Sequence, residues 1–232
     1  MDARLVQIKL DQRLNKLASE DYDNIECWQK REAVQKAQLE WTRRQIHGIN
    51  QTKEGDEETS MKVDDIQFLL KPKELLLTNK GLYYESELYP IDFGWSKSIL
   101  IYADKGECKD QLMTDVNHIE EANVSAWLND WSKTPSFEFR QCFYTLAGNR
   151  VRVYTNGEFN VSKVVLTYYR LPIKFDIEGC ENYDGDPGKN VNLEFKDDVA
   201  ELIIDEAASI IAGDIENTAA YQVTSQRKET NN

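Results

Sequence analysis

The alternation of apolar and polar residues is clearest between residues 137 and 171. Three runs rich in β-branched and aromatic residues are separated there by two short turns, at 147–149 and at Asn156-Gly157. The runs are 137–146, 150–155 and 159–170. Asn-Gly between alternating apolar residues is a strong hairpin signal, because a type I′ turn requires positive φ at both central residues. The pattern predicts a three-stranded antiparallel meander over 137–171.

Helical periodicity occurs at both ends of the chain. It predicts a short helix over 3–17, a long helix over 22–46 and a third helix over 197–211. The third helix has a single clean apolar face, and Gly213 is expected to follow its last turn.

The middle of the chain is mostly β-like. Short apolar runs occur at 66–70, 74–78, 82–91, 98–102 and 191–195, and a short helix is expected over 116–131. The chain is therefore expected to be an α+β protein, with an antiparallel β domain between packed terminal helices. The predicted parts are a helical core from 1–50 with 191–232, a β-rich domain over 61–175, and polar or acidic loops at 51–60 and 176–190.

The long helix carries apolar residues on two sides, and a helix of this kind must bury both. One side holds Cys27, Val34, Ala37 and Trp41, and the other holds Ile25, Trp28, Leu39 and Ile46. Two arrangements fit this pattern. Either both sides are buried within one fold, or one of them contacts a neighbouring subunit, with Trp28 and Trp41 as candidate interface residues.

The amino-acid composition argues against two classes of function, nucleic-acid wrapping and membrane association. The chain has 41 acidic and 28 basic residues and a formal net charge of −13, which argues against wrapping nucleic acid by neutralising phosphates. Its start lacks the apolar core of a signal peptide, and no run approaches the roughly 20 apolar residues of a membrane span. We therefore expect no membrane association.

The four cysteines are widely spaced and form no CxxC motif. They are Cys27, Cys108, Cys142 and Cys180. We expect ordinary reduced thiols rather than a metal site or a disulfide framework.

No catalytic or cofactor signature is present. The sequence lacks a GxxxxGK[ST] phosphate loop, a GxGxxG dinucleotide motif and a GxSxG nucleophile elbow, so neither an enzyme nor a cofactor is expected. Carboxylates crowd the loop after residue 175, namely Asp176, Glu178, Glu181, Asp184 and Asp186, and all but Glu181 are candidates to face a channel. Their order differs from that of an EF-hand, so a solvated or channel-facing acidic loop is expected rather than a metal site.

Two segments resemble a known family. They are LNKLASEDYDNIECWQKREAVQKAQLEWTRRQIHGIN at 14–50, and AGNRVRVYT with LTYYRLP and LEFKDDVAELIIDEAASIIAGDIENTAAYQ within 147–222. Together they resemble the ring-type head-to-tail adaptor proteins of tailed phages, closest to the crAss-like group. The resemblance implies a homomeric ring, usually twelvefold, below the portal of the virion.

Such a protein would be made in the host cytoplasm and would lie at the head–tail interface. Its partners would be its own copies, the portal protein and the next tail ring protein, and DNA would pass through without specific binding. Residues 217–232 hold too few apolar residues to order independently. We expect them to dock on a neighbouring ring protein through Tyr221, with Arg227 and Lys228 meeting acidic groups.

The alternative is a carbohydrate-binding β module of a phage tail or surface protein. The chain contains 5 tryptophans and 11 tyrosines, and exposed aromatic rings can stack on sugars. An acid–base hydrolase is a weaker third reading, because the separation of paired carboxylates is spatial and cannot be read from sequence.

Overall fold

The chain forms two compact units. The computed structural model describes residues 1–17, 25–47, 65–181, 185 and 187–214. One unit, here the helical unit, comprises residues 1–68 with 172–232, and the other, the β unit, comprises residues 69–171. Helices lie at both ends of the chain and antiparallel sheets lie in the middle, so the predicted α+β class is confirmed.

Four α-helices are described. They are α1 (Ala3–Leu17), α2 (Cys27–His47), α3 (Val124–Asn129) and α4 (Asp197–Asp214). The predicted stop at Gly213 is wrong, since α4 continues through it. Glycine costs a helix about 1 kcal/mol relative to alanine, but Ile211 and Ala212 are buried beside it and stabilise the last turn. None of the described helices combines the length and the apolar character that a membrane crossing requires.

Helices α1, α2 and α4 share one apolar core in the helical unit. The periodic face predicted for α4 is buried, and it packs against both other helices. The buried core residues of the three helices include Val6, Leu10, Leu14, Val34, Ala37, Trp41, Ala200, Ile203, Ile204, Ala207 and Ala208. Alanines at several of these positions permit close approach of the helix backbones.

Ion pairs surround this core. Lys9 and Arg13 of α1 both bind Glu201 of α4, and Arg13 also binds Asp205. Burial alone would raise the pKa of the Glu201 carboxyl. The hydrogen bonds and charges of Lys9 and Arg13 outweigh that effect and lower its pKa below the ordinary value. The Glu201 carboxylate is therefore ionised at neutral pH, and its pairs with Lys9 and Arg13 join α1 to α4.

The β unit consists of two sheets packed face to face. The first sheet has the order β1 (Leu70–Leu75), β9 (Asn160–Arg170), β4 (Phe93–Lys105) and β5 (Cys108–Leu112). The second has the order β2 (Leu77–Asn79), β3 (Tyr83–Ser86), β8 (Arg150–Tyr154), β7 (Gln141–Ala147) and β6 (Asp115–His118). All pairs are antiparallel except β6–β7. Residues of both sheets, among them Ile101, Val153 and Leu166, share the core.

The predicted meander is correct for two strands and wrong for the third. β7 and β8 form a hairpin whose two turn residues, Gly148 and Asn149, both have a φ of 59°. Asn156 and Gly157 also have positive φ, at 50° and 73°, but they carry the chain into the other sheet. There β9 lies between β1 and β4. Apolar alternation predicts a strand, but it does not specify which strand will be the partner.

Two further predictions differ from the structure. Residues 116–118 are strand rather than helix, and within the predicted 116–131 a 3-10 helix at Glu121–Asn123 leads into the short helix α3. Trp127 of α3 packs on Phe143 of the second sheet, with ring centroids 5.5 Å apart. The expected strand at 191–195 is a single bridge between Val191 and Asp176.

Candidate functional site: the surface of helix α2

Trp41 lies in the core of the helical unit. It is 3% exposed, and its indole meets the ring of Phe195 edge to face at a centroid distance of 5.2 Å. Phe195 makes a second edge-to-face contact with Phe68 at 5.3 Å. Of the two tryptophans expected at a subunit interface, Trp41 is thus a core residue.

Trp28 lies on a different side of α2, in an open groove. The groove has a volume of about 290 Å³ and is formed by the start of α2 and the last turn of α4. Its apolar lining comes from Ile25, Trp28, Ala33, Ile210 and Ile211. Gln29, Glu32, Lys36 and Asp214 are its polar and charged lining residues among those that the structure describes. The groove therefore combines an apolar floor with charged residues of both signs.

The second apolar side of α2 is only partly buried by the described residues of its unit. Trp28 is half-buried in the groove, and Leu39 is 45% exposed. Ile25, Trp28 and Ile46 of this side are half-buried, so burial of both sides within one fold stays a prediction. Contact of this side with a neighbouring subunit stays a prediction as well.

The side of α2 that includes Cys27 also carries an irregular segment, residues 173–180, which we call the strap and which turns at Glu178-Gly179. Four α2 side chains spaced i, i+4, i+8 and i+11 hold it, and such positions lie along one helix face. The contacts are Gln38 Nε2 to the carbonyl of Ile173 (2.9 Å), Gln35 Nε2 to that of Phe175 (2.6 Å), Arg31 to the Asp176 carboxylate (3.3 Å), and a Cys27–Cys180 disulfide. The strap therefore runs antiparallel to α2 along its length.

The disulfide corrects the expectation of reduced thiols. Cys27 and Cys180 are 153 residues apart in sequence, and their Cα atoms are 5.7 Å apart. Cys108 is free and exposed, and Cys142 is free and buried. Burial raises the pKa of the Cys142 thiol to about 12. Wide spacing gave no sign of the pairing, because the fold of the helical unit brings the two residues together.

Asp176, the first acidic residue of the loop, stabilises the strap through hydrogen bonds and an ion pair. The Asp176 carboxylate accepts hydrogen bonds from the backbone N–H of Ile177 at 2.9 Å and of Lys189 at 2.8 Å, in addition to Arg31. Gly188 packs against the same turn, where a Cβ atom would lie 2.1 Å from the carbonyl oxygen of Ile177. Asp176 is thus ion-paired within the unit and half-buried.

Of the other expected site residues, the structure describes only Glu178. Glu178 is exposed, and its channel-facing role stays a prediction. Asp184, Asp186, Tyr221, Arg227 and Lys228 lie outside the described residues. Across the part of the chain that the structure describes, no group of three or more His, Cys, Asp or Glu side chains could hold a metal ion.

The β unit exposes two aromatic rings that the sequence did not single out as surface residues. Trp131 is 91% exposed and Phe139 is 79% exposed. Both belong to the connection between α3 and β7, which is braced by a hydrogen bond from Gln141 Nε2 to the carbonyl of Ser132 at 3.0 Å. The sequence placed Trp131 on the apolar side of a helix that ends before it.

No protein-family model matches this chain, and no curated protein matches it at a significant level.

Proposed function

We propose that this chain is a virion structural protein, the subunit of a homomeric ring that joins portal and tail and extends the DNA channel. Its role is mechanical rather than enzymatic. The observation that carries the proposal is the groove between α2 and α4. Both helices fall in the segments that resemble ring-type adaptors, 14–50 and 147–222, and apolar residues of both helices line the groove.

A groove on one subunit suits head-to-tail assembly. When each copy presents a groove on one side and an apolar insert on another, the contacts are heterologous, and they close into a ring if the rotation fits. At about 290 Å³ the groove has room for a large side chain of the next copy. The portal protein and the next tail ring would contact the two faces of such a ring.

The charge of the chain agrees with a DNA channel. With a net charge of −13, the subunit repels the phosphate backbone on average. DNA would then pass through the ring without being held. Glu178, exposed on the strap, is the described acidic residue that we assign to the channel side.

We expect Trp28→Ala to leave the subunit folded and to abolish ring formation, because it removes the largest apolar side chain of the groove. Trp131→Ala is the matched control, since it removes an exposed tryptophan from the β unit. Light scattering after size exclusion and negative-stain images, with and without portal protein, would report assembly. Normal rings from the Trp28→Ala protein would contradict the groove contact. A wild-type protein that stays monomeric even with portal would contradict the function.

A carbohydrate-binding module is a second candidate, favoured by the exposure of Trp131 and Phe139 on the β unit. Aromatic rings of this kind stack on the apolar faces of sugars. On this reading the wild-type protein would bind specific glycans on an array, and Trp131→Ala would lose that binding while still forming any ring. An array without specific signal would remove this candidate.

A further inference from the structure

We propose that Cys27 and Cys180 form a redox-controlled clamp, which closes on the strap after the protein leaves the reducing compartment where it is made. This inference rests on the proposed function, since a phage structural protein is made in a host cytoplasm that keeps thiols reduced. The cysteines are then thiols during synthesis and assembly, and the disulfide is the later state.

The strap is aligned on α2 by contacts that do not need the disulfide. Arg31, Gln35 and Gln38 hold Asp176, Phe175 and Ile173 at 3.3, 2.6 and 2.9 Å. These three contacts continue along the helix from the cysteine pair in register. They would therefore keep the two thiols close in the reduced protein. Such alignment raises the effective concentration of one thiol at the other.

The two cysteines differ in access, which sets the order of reaction. Cys27 is half-buried at the first turn of α2, whereas Cys180 is 1% exposed. A helix N-terminus favours the thiolate, which is the reacting form. Cys27 is therefore the residue that an external oxidant meets, and Cys180 is the resolving thiol.

With glutathione disulfide as the oxidant, the chemistry balances in two exchanges. The Cys27 thiolate attacks one sulfur of glutathione disulfide, forms a mixed disulfide and releases one glutathione thiolate, which takes up the proton that Cys27 lost. The Cys180 thiolate then attacks the Cys27 sulfur and releases the second glutathione in the same way. Two protein thiols are oxidised, and one glutathione disulfide is reduced to two thiols.

Closure should stabilise the helical unit. The link joins residues 153 apart, on either side of the whole β unit, and so restricts the unfolded chain. It also fixes the start of α2, where Trp28 and the preceding residue Ile25 line the groove. We expect closure of the disulfide to raise the Tm of the helical unit by about 10 °C.

The test uses the full chain produced in a reducing bacterial cytoplasm. Cells are lysed into an alkylating reagent under denaturing conditions, and the modified cysteines are counted by mass spectrometry. We expect four alkylated cysteines in the fresh lysate. After the native protein is purified under reductant, transferred to reductant-free buffer, treated with glutathione disulfide and then alkylated under denaturing conditions, we expect a peptide that links Cys27 to Cys180 and an alkylated Cys142. The exposed Cys108 should carry either the alkyl group or glutathione, and neither affects the link.

The Tm is then followed by ellipticity at 222 nm in the same protein before and after oxidation. The shift should persist in Cys108→Ser and be absent in Cys27→Ser. A pair already oxidised in the fresh lysate, failure of glutathione disulfide to close it, or an unchanged Tm would each overturn the clamp. Because wild-type protein is measured in both states, the result does not depend on the Cys27→Ser variant folding.

Ring formation is scored separately by negative-stain microscopy. A clamp that closes in a protein that never forms rings would contradict the proposed function while supporting the thiol chemistry and its effect on Tm. Rings built from a protein whose clamp never closes would contradict only the clamp.

Discussion

Replacing Trp41 with alanine should lower the free energy of unfolding of the helical unit by about 3–5 kcal/mol, the usual cost of truncating a large buried aromatic side chain. Trp41 is 3% exposed and packs edge to face on Phe195. The variant therefore loses buried apolar area and an aromatic contact together, and the surrounding helices can collapse only in part around the cavity.

Urea unfolding followed by ellipticity at 222 nm would measure the effect, because most of the described helix lies in this unit. Trp41→Phe is the conservative control and should retain much of the stability. Trp28→Ala is the positional control on the same helix, and it should cost clearly less because Trp28 lines an open groove. Equal losses from Trp41→Ala and Trp28→Ala would refute the distinction between a core side and a surface side of α2.

Replacing Glu206 with alanine should cost about 3–5 kcal/mol, the range seen when one partner of a buried ion pair is removed. Glu206 lies on α4 and is 2% exposed, and its carboxylate binds the Arg44 guanidinium of α2. Without the carboxylate, the half-buried Arg44 keeps its charge in a low-dielectric site with less compensation. The expected result is a weakened contact between α2 and α4.

A paired substitution separates the charge effect from packing. Glu206→Leu combined with Arg44→Met removes both charges and keeps the volume similar, so most of the stability should return. Glu201→Ala is the matched control on α4, because the Glu201 side chain is 34% exposed against 3% for Glu206, and more exposed pairs contribute about 0–1 kcal/mol each. If the double variant is no more stable than Glu206→Ala, the loss does not come from an uncompensated charge.

The parts of the fold that could be predicted are those marked by a pattern of neighbouring residues, either helical periodicity or strand alternation. The face of α4 follows a 3.6-residue period from Ala200 to Ile211, and the structure buries it as predicted. The strands β8 and β9 also lie within a residue of where alternation placed them, whereas β7 begins at Gln141, after a turn over the first residues of the predicted run 137–146. The burial of Glu206 was not predicted, because a buried charge breaks the apolar pattern. Its partner Arg44 lies far away in the chain, so the ion pair leaves no local pattern either.

The candidate site was partly visible in the sequence. The two-sided pattern of α2 indicated that some of its apolar residues need a partner, but it did not say which. Packing decided that Trp41 faces Phe195 and the core, while Trp28 lines a groove with Ile210 and Ile211. Those contacts join segments more than 150 residues apart, so no local pattern could report them.

The sequence alone determined the α+β class, the positions of the main helices and the hairpin turn at Gly148-Asn149, because each depends on neighbouring residues and on backbone φ preferences. Only the tertiary structure decided that β9 crosses to the other sheet, that Cys27 pairs with Cys180, and that Asp176 is ion-paired to Arg31. The physical reason is the same in all three cases. Partners distant in sequence are chosen by the combined packing of the whole unit, and that choice leaves no periodic trace in the chain.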